Sequence, residues 1–370
     1  MKQSSADIDN LGRTQPPVGW EPNALRPRIV RWVLIVLGCA ALVSAFVTSG
    51  RSVEGTRIAR PPGSHVPERT EFLGISNWYF YFELLAIVGF IAMWSVSIYQ
   101  TRKRGKPSPL LIMVATITVV SAWDPLVNWA AYTSYDPRMF HFRIDVPWIN
   151  LEPTVQPWVA VWAYAGFFLI PAWFTLALYK RLAQRADPNA FLVRRPRLTL
   201  LAMSIPICII FDAVAEALMV RAGIYSYAQV IPFGSIFVGE PWQFPLIWES
   251  VLFGLVLAPT APMMWVNDQN QTWGETFALR FRLFRGRPNL GAFAMSVLVF
   301  SVLYVVVYFL CFAAIRVSGI STGVGTPWRF PETAVYDPQG YYEKAGNPGP
   351  YYQGTWGGWE RRSASGGDGG

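Results

Sequence analysis

Apolar residues in this chain do not alternate with polar ones at the period of a half-buried strand, and they do not form the narrow stripe of a surface helix. They run in long blocks broken by short polar segments. A hydrocarbon core about 30 Å thick needs roughly 20 mostly apolar residues to cross it as a helix. Seven blocks meet that need: 32–48, 78–99, 110–132, 158–179, 198–220, 244–266 and 293–315. None contains Lys or Arg. The pattern predicts an all-α fold, a polytopic membrane helix bundle of about seven transmembrane helices over 32–315. It is preceded by a segment 1–31 and followed by a tail 316–370.

Composition supports that class over the two or three soluble domains that 370 residues could form. Charged residues make up 15% of the chain, against about 25% in soluble globular proteins. Hydrophobic residues make up 52%, aromatics 15%, and there are 17 Trp, too apolar a mix for a disordered chain. The first block is the shortest and follows Arg26, Arg28 and Arg31, as a signal peptide would. The long segment before it favours a retained anchor.

The net charge of +8 raises the question of nucleic acid, and its distribution answers it. Segments 1–31, 100–109, 180–197 and 267–292 carry 5, 4, 6 and 4 Lys or Arg, whereas the alternating segments 49–77, 133–157, 221–243 and 316–370 carry 4, 2, 1 and 5. Basic loops stay on the cytoplasmic side. The N-terminus is therefore expected in the cytoplasm and the C-terminus outside, in a multi-pass protein of the cell membrane. With no basic stripe interleaved with aromatics, no nucleic-acid partner is expected.

The tail 316–370 holds 13 Gly and 5 Pro and reads as disordered. Its aromatics, among them Tyr341, Tyr342, Tyr351, Tyr352, Trp356 and Trp359, would touch at most the membrane interface.

The side-chain inventory narrows the chemistry. Cys39, Cys208 and Cys311 fall in three different blocks, without metal or redox spacing. His65 and His141 are the only histidines, too few for a haem bundle or a His-rich di-iron centre. No lysine lies mid-span, which excludes a retinal Schiff base. Neither a phosphate-cradling glycine loop nor a nucleophile elbow is present. No cofactor and no metal site are expected.

Five acids do lie within the blocks: Glu83, Asp124, Asp212, Glu216 and Glu249. A carboxylate there is costly and marks function by default. All five sit about 6 to 12 Å from the expected outer ends, at 1.5 Å per residue. Asp124, Asn128 and Tyr132 share one helix face at four-residue spacing, as do Asp212 and Glu216. Pro125 after Asp124 should free local backbone carbonyls. The outer loops add Glu152, Tyr225, Tyr227 and Glu240. Trp123 and Trp248 each adjoin an acid and could wall a cavity against a cationic intermediate, although an interfacial belt is the ordinary use of such Trp. The candidate catalytic residues are Asp124, Asp212, Glu216 and Glu249. Glu83, Trp123, Asn128, Tyr132, Tyr225, Tyr227 and Trp248 are candidates for binding substrate.

A cavity of acids and aromatics suits acid–base chemistry on an apolar small molecule: cyclisation, hydration, dehydration or isomerisation. Trp123-Asp124-Pro125 with Asn128, Phe211-Asp212 with Glu216, the segment 223–227 and Trp248-Glu249-Ser250 resemble the actinobacterial AveC-like spirocyclase family of integral membrane proteins, over roughly 30–330. The resemblance implies closure of a dihydroxy-ketone, polyketide-like substrate into a spiroketal, with dehydration as a related activity. On that reading Asp212 is assigned as general acid tuned by Glu216, and Asp124 as base or cation stabiliser oriented by Asn128. Glu249 completes the cavity. Other readings stay open. A carotenoid or terpenoid cyclase or hydratase fits the same wall, and a proton-coupled transporter or a non-enzymatic membrane binding protein would use buried acids differently. The sequence leaves the oligomeric state unassigned.

Overall fold

The computed structural model describes residues 25–51, 71–143, 146–284, 286–331 and 333–352. Residues 1–24, His65, Trp356 and Trp359 lie outside them, as do the side chains of Arg26, Arg28 and Arg31. The chain divides into two units, residues Met1–Thr48 and Ser49–Gly370. The described part of the first includes α1 (Leu25–Val47), which carries the apolar stretch Ile35–Val47.

The second unit is mostly helical. It begins with α2 (Trp78–Arg104), α3 (Pro109–Val120), a 3₁₀ turn (Ser121–Trp123), α4 (Asp124–Ala131) and β1 (Thr133–Tyr135). A second 3₁₀ turn (Ile149–Leu151) precedes α5 (Trp158–Ala183), α6 (Phe191–Arg194), α7 (Pro196–Ala222), β2 (Tyr225–Tyr227) and β3 (Gln229–Val230). Then come α8 (Leu246–Leu257), α9 (Thr260–Met264), α10 (Trp273–Ala278) and α11 (Pro288–Leu303), which runs through a π-helical stretch (Tyr304–Phe309) into α12 (Leu310–Ser318). Last are β4 (Gly323–Val324), β5 (Val335–Tyr336), α13 (Tyr341–Lys344) and β6 (Tyr351–Tyr352).

Six described segments are long and apolar enough to cross a membrane: Trp78–Arg104, Pro109–Ala131, Trp158–Ala183, Pro196–Ala222, Leu246–Met264 and Pro288–Ser318. Each overlaps one of the last six predicted blocks. Local chemistry sets their ends. The Ser108 hydroxyl accepts from the Leu111 amide, with Pro109 at the first helical position, where its missing N–H costs nothing. Gly105 and Gly223 end α2 and α7 in the left-handed region, which favours glycine.

Proline shapes the interior as the sequence suggested. Pro125 interrupts the span Pro109–Ala131, and the chain tightens into the 3₁₀ turn just before it. The Ala122 carbonyl accepts instead from the Trp148 indole at 2.6 Å.

Short antiparallel pairs close one end of the bundle. β1 pairs with β2 in the register Thr133↔Tyr227, Ser134↔Ser226, Tyr135↔Tyr225. Alternation along a strand puts Thr133, Tyr135, Tyr225 and Tyr227 on one face, and all four line the cavity below. This end, where the buried acids lie, is termed the acid end; the opposite end, with the Arg/Lys-rich connections, is the basic end.

The tail reading fails for residues 316–352. β4 pairs with β3, and β5 pairs with β6. Trp328, Phe330, Tyr336 and Tyr342 are buried in a small second core with Tyr132 and Ala228. Arg316 donates to the Trp129 carbonyl and to the Tyr336 hydroxyl, the latter at 2.8 Å. It stacks on Trp129 and Tyr132 at 4.3 and 4.4 Å. Glycine here serves close approach: a Cβ on Gly325 would meet the Glu240 carbonyl oxygen at 2.5 Å. A Gly/Pro count could not tell turns from disorder, whereas the aromatics had a core to fill.

Candidate functional site

The acids predicted as one cluster separate into two environments. Three of them, Asp124 from α4, Glu216 from α7 and Glu249 from α8, line a single cavity between the helices. Its volume is about 50 Å³, room for a few water molecules. Phe82, Phe167 and Phe253 supply apolar wall. No Lys, Arg or His is among the described residues that line it.

Each of the three carboxyls is held by a phenol. Tyr164 donates to Asp124 Oδ1, and the Gln156 amide donates to Oδ2 at 2.8 Å. Tyr225 donates to Glu216 Oε2, with Tyr227 farther off at 3.4 Å. Tyr308 reaches both Glu249 oxygens, at 2.8 and 2.7 Å. Phenol donors stabilise a carboxylate without adding a compensating charge. Thr133 Oγ1 is buried at the cavity with no hydrogen-bond partner, which leaves a hydroxyl available to an occupant.

A fourth carboxyl stands beside them. Asn128 lines the cavity and donates to Glu152 Oε2 at 3.1 Å. Burial pushes the Glu152 carboxyl well above its ordinary range, the nearby Asp124 adds to that, and Asn128 pulls the other way. Glu152 thus holds its proton more tightly than an ordinary carboxyl. Burial likewise raises the hydroxyls of Tyr135, Tyr225 and Tyr227, with nearby carboxylates adding to it, so they remain proton donors.

Behind the lining residue Phe253 the packing is aromatic. Phe168 meets Phe253 and Phe300 edge to face, with centroids 6.1 and 5.4 Å apart, and Tyr304 packs against Phe253 at 6.0 Å. Among helices in lipid, packing of this kind replaces the hydrophobic drive, at about 0.5–1.5 kcal/mol for each aromatic pair. The π-helical stretch Tyr304–Phe309 supplies both Tyr304 and Tyr308 to this region, and such bulges recur at functional sites.

Several predicted members lie elsewhere, each for an identifiable reason. Glu83 is paired with Arg51 at 2.6 Å and accepts from the Phe140 amide at 2.6 Å, which gives it a structural bond. Asp212 is fully buried but does not line the cavity. It faces the α7–α8 seam, with Ser250 beside it. That seam is tight, since a Cβ on Gly254 would lie 2.9 Å from the Ile209 Cα. Tyr132 shares a sequence face with Asp124 and Asn128, but α4 ends before it. Its left-handed backbone (φ 60°) carries it into the tail core. The Trp123 indole donates to Ser301 Oγ at 3.0 Å, and the Trp248 indole donates to the Phe233 carbonyl at 2.8 Å. Neither ring lines the cavity.

Tyr164, Tyr308, Gln156 and Thr133 were not among the predicted site residues. Tyr164 and Tyr308 carried a signal in the sequence. A tyrosine deep in an apolar span brings a hydroxyl that needs a partner, and unpaired acids at similar depth were the available partners.

A family model described as Spirocyclase AveC-like matches residues 101–336 of the chain. The matched region includes Asp124, Asn128, Glu152, Tyr164, Glu216, Glu249 and Tyr308. No curated protein matches, and no solved structure matches.

Proposed function

Because the chain belongs to the Spirocyclase AveC-like family, we propose that it is a cyclase of the cell membrane. It closes the keto-diol end of a hydrophobic, polyketide-like molecule into a spiroketal, using its own carboxyls. The carrying observation is that three helices bring Asp124, Glu216 and Glu249 to one cavity, each carboxyl on a tyrosine and with no cation in the described lining.

The reaction joins two hydroxyls to one ketone and releases one water. Glu216, as a carboxylic acid, protonates the ketone oxygen. Asp124, as a carboxylate, takes the proton of the first attacking hydroxyl as the C–O bond forms, giving a hemiketal. Asp124 returns that proton to the hemiketal hydroxyl, which leaves as water, and a carboxylate facing the resulting oxocarbenium centre lowers its energy, as in glycoside hydrolysis. In this proposal Asp124 and Glu249 take that role. The second hydroxyl then attacks and gives up its proton, which restores the acid. Loss of water without the second attack yields dehydration from the same pair.

This assigns the general-acid role to Glu216 in place of Asp212, which sits behind the cavity wall. A cavity of about 50 Å³ admits only the reacting end of a molecule whose full binding site would need several hundred Å³. Binding the whole substrate therefore requires the cavity to widen.

The test uses membranes carrying the full-length chain and a synthetic hydrophobic keto-diol. The expected product is one water lighter, and Glu216→Gln should lower its rate about a hundredfold or more at equal protein level. Undiminished turnover by Glu216→Gln would overturn the assignment. A polyene substrate offered in parallel distinguishes the carotenoid or terpenoid cyclase reading. The alternation of carboxyls and phenols favours one further reading, a proton relay. Acidification of proteoliposomes that depends on Asp124 in the absence of keto-diol would support it.

A further inference from the structure

The basic end of the bundle holds a second and far roomier space, a groove of about 790 Å³. Its floor is apolar: Leu201 on α7, Met263 on α9, and Val299 and Leu303 on α11. At about 1.5 Å per residue, Leu303 lies some 22 Å along its helix from Pro288, so the groove follows the bundle well into membrane depth. Trp265 and Trp273 also line it, the residue type that settles at headgroup level.

The polar part of the groove has one sign. Arg194, Arg195 and Arg197 line it, and no acid does among its described lining residues. The Arg197 guanidinium lies over the Trp265 ring, 5.5 Å from its centroid, while its Nε is buried without a hydrogen-bond partner. The same three residues surround the start of α7, a 27-residue helix with no side-chain cap at its N-terminus. Its first amides and the positive end of its dipole thus point where the guanidinium groups gather. Three cations, open amides and an apolar slot with two indoles match one kind of molecule: an anion with a long hydrocarbon chain.

We propose that this groove binds one anionic phospholipid. The phosphate sits against Arg194, Arg195, Arg197 and the start of α7, and an acyl chain lies along Leu201, Val299 and Leu303. The loops at this end carry the excess of Lys and Arg, the side on which anionic lipids and basic pockets meet. The site lies at the opposite end of the bundle from the acid cavity and does not depend on what that cavity does.

The experiment follows thermal unfolding of the purified full-length protein in detergent by Trp fluorescence. Dioleoylphosphatidylglycerol, dioleoylphosphatidylcholine or inorganic phosphate is added, and native mass spectrometry counts the bound lipid. Phosphatidylglycerol should raise the midpoint saturably, with one lipid retained, and the other two additives should not. Arg194→Gln/Arg195→Gln/Arg197→Gln should weaken the apparent affinity about a hundredfold, whereas the exposed pair Arg280→Gln/Arg282→Gln should leave it unchanged. Leu201→Trp fills the groove while keeping every charge, so it decides the matter if the triple variant fails to fold: it too should lose the shift. An equal shift with phosphatidylcholine would make this a plain acyl groove, and a shift with phosphate alone would make it an ion site. Binding that survives both groove variants would place the lipid elsewhere. Each of these three results overturns the proposal.

Discussion

Buried carboxylates in this bundle come with two kinds of partner. At its margins Glu83 faces Arg51, Asp136 faces Arg138 and Glu275 faces Lys106, at 2.6, 2.7 and 3.0 Å. In the cavity Asp124 faces Tyr164, Glu216 faces Tyr225 and Glu249 faces Tyr308. All six acids are buried, so burial does not separate them. A guanidinium or ammonium fixes its carboxylate in the charged state and leaves no proton to exchange. A phenol holds the carboxylate in place, remains protonated itself and leaves the acid free to cycle between two states. On the proposed reading, the partner, more than the depth, separates a structural acid from a chemical one.

The sharpest way to break the comparison is to neutralise one acid of each kind. Asp124→Asn should lower keto-diol turnover about a hundredfold or more with little change in thermal midpoint. Glu83→Gln should keep turnover within a few-fold and lower stability by about 1–3 kcal/mol, since the buried Phe140 amide loses a charged acceptor. Turnover in membranes and unfolding of the purified protein read the two effects separately. If Glu83→Gln abolished turnover while Asp124→Asn spared it, the comparison would be reversed.

A smaller effect is expected from the phenols. Tyr164→Phe and Tyr308→Phe each remove one donor and keep the ring, so kcat should fall about tenfold, in line with loss of one hydrogen bond to a charged group. KM should barely move. Tyr99→Phe, on an exposed position of α2, is the control that should change neither.

The smallest effect is one of pH, and its sign differs between the two kinds of acid. Burial holds Glu152 well above the ordinary carboxyl range, so the fold keeps a proton that the unfolded chain releases. Its contribution is complete at acid pH and is lost as pH rises above about 5. Glu275 is the reverse. Burial raises it, but the Thr272 amide and Lys106 outweigh that and leave it lowered. Its contribution is present at neutral pH and is lost as pH falls below about 5. Thermal midpoints measured across pH should therefore lose part of their alkaline decline in Glu152→Gln and part of their acid decline in Glu275→Gln.

Much of this was legible in the sequence. Hydropathy located the six crossing-length helices because a span must be apolar along its whole length, so its signal does not depend on contacts. The cost of a buried acid likewise picked out Asp124, Glu216 and Glu249. What escaped were pairings made across the fold. Nothing local joins Arg51 to Glu83, or Glu152 to Asn128 across 24 residues. Asp212 shares a helix face with Glu216, yet the cavity stops at Glu216 because α7 and α8 close tightly below it. The region after 316 misled for a compositional reason: Gly323 and Gly325 are small because the Val230 and Val238 side chains and the Glu240 carbonyl lie against them, and such crowding is invisible in a residue count.

The π-helical stretch Tyr304–Phe309 works as a change of phase in the last long helix. One extra residue within a turn advances everything downstream by about 100° relative to an unbroken α-helix. Upstream of that step α11 packs Phe300 against Phe168, and downstream α12 presents Arg316 to the Trp129 carbonyl and Tyr336. A single-residue deletion within 304–309 would rotate one set of contacts away from the other. The chemistry-bearing tyrosine and the anchor of the tail core are thus set by the same angular offset, so a chain that lost it would lose both together.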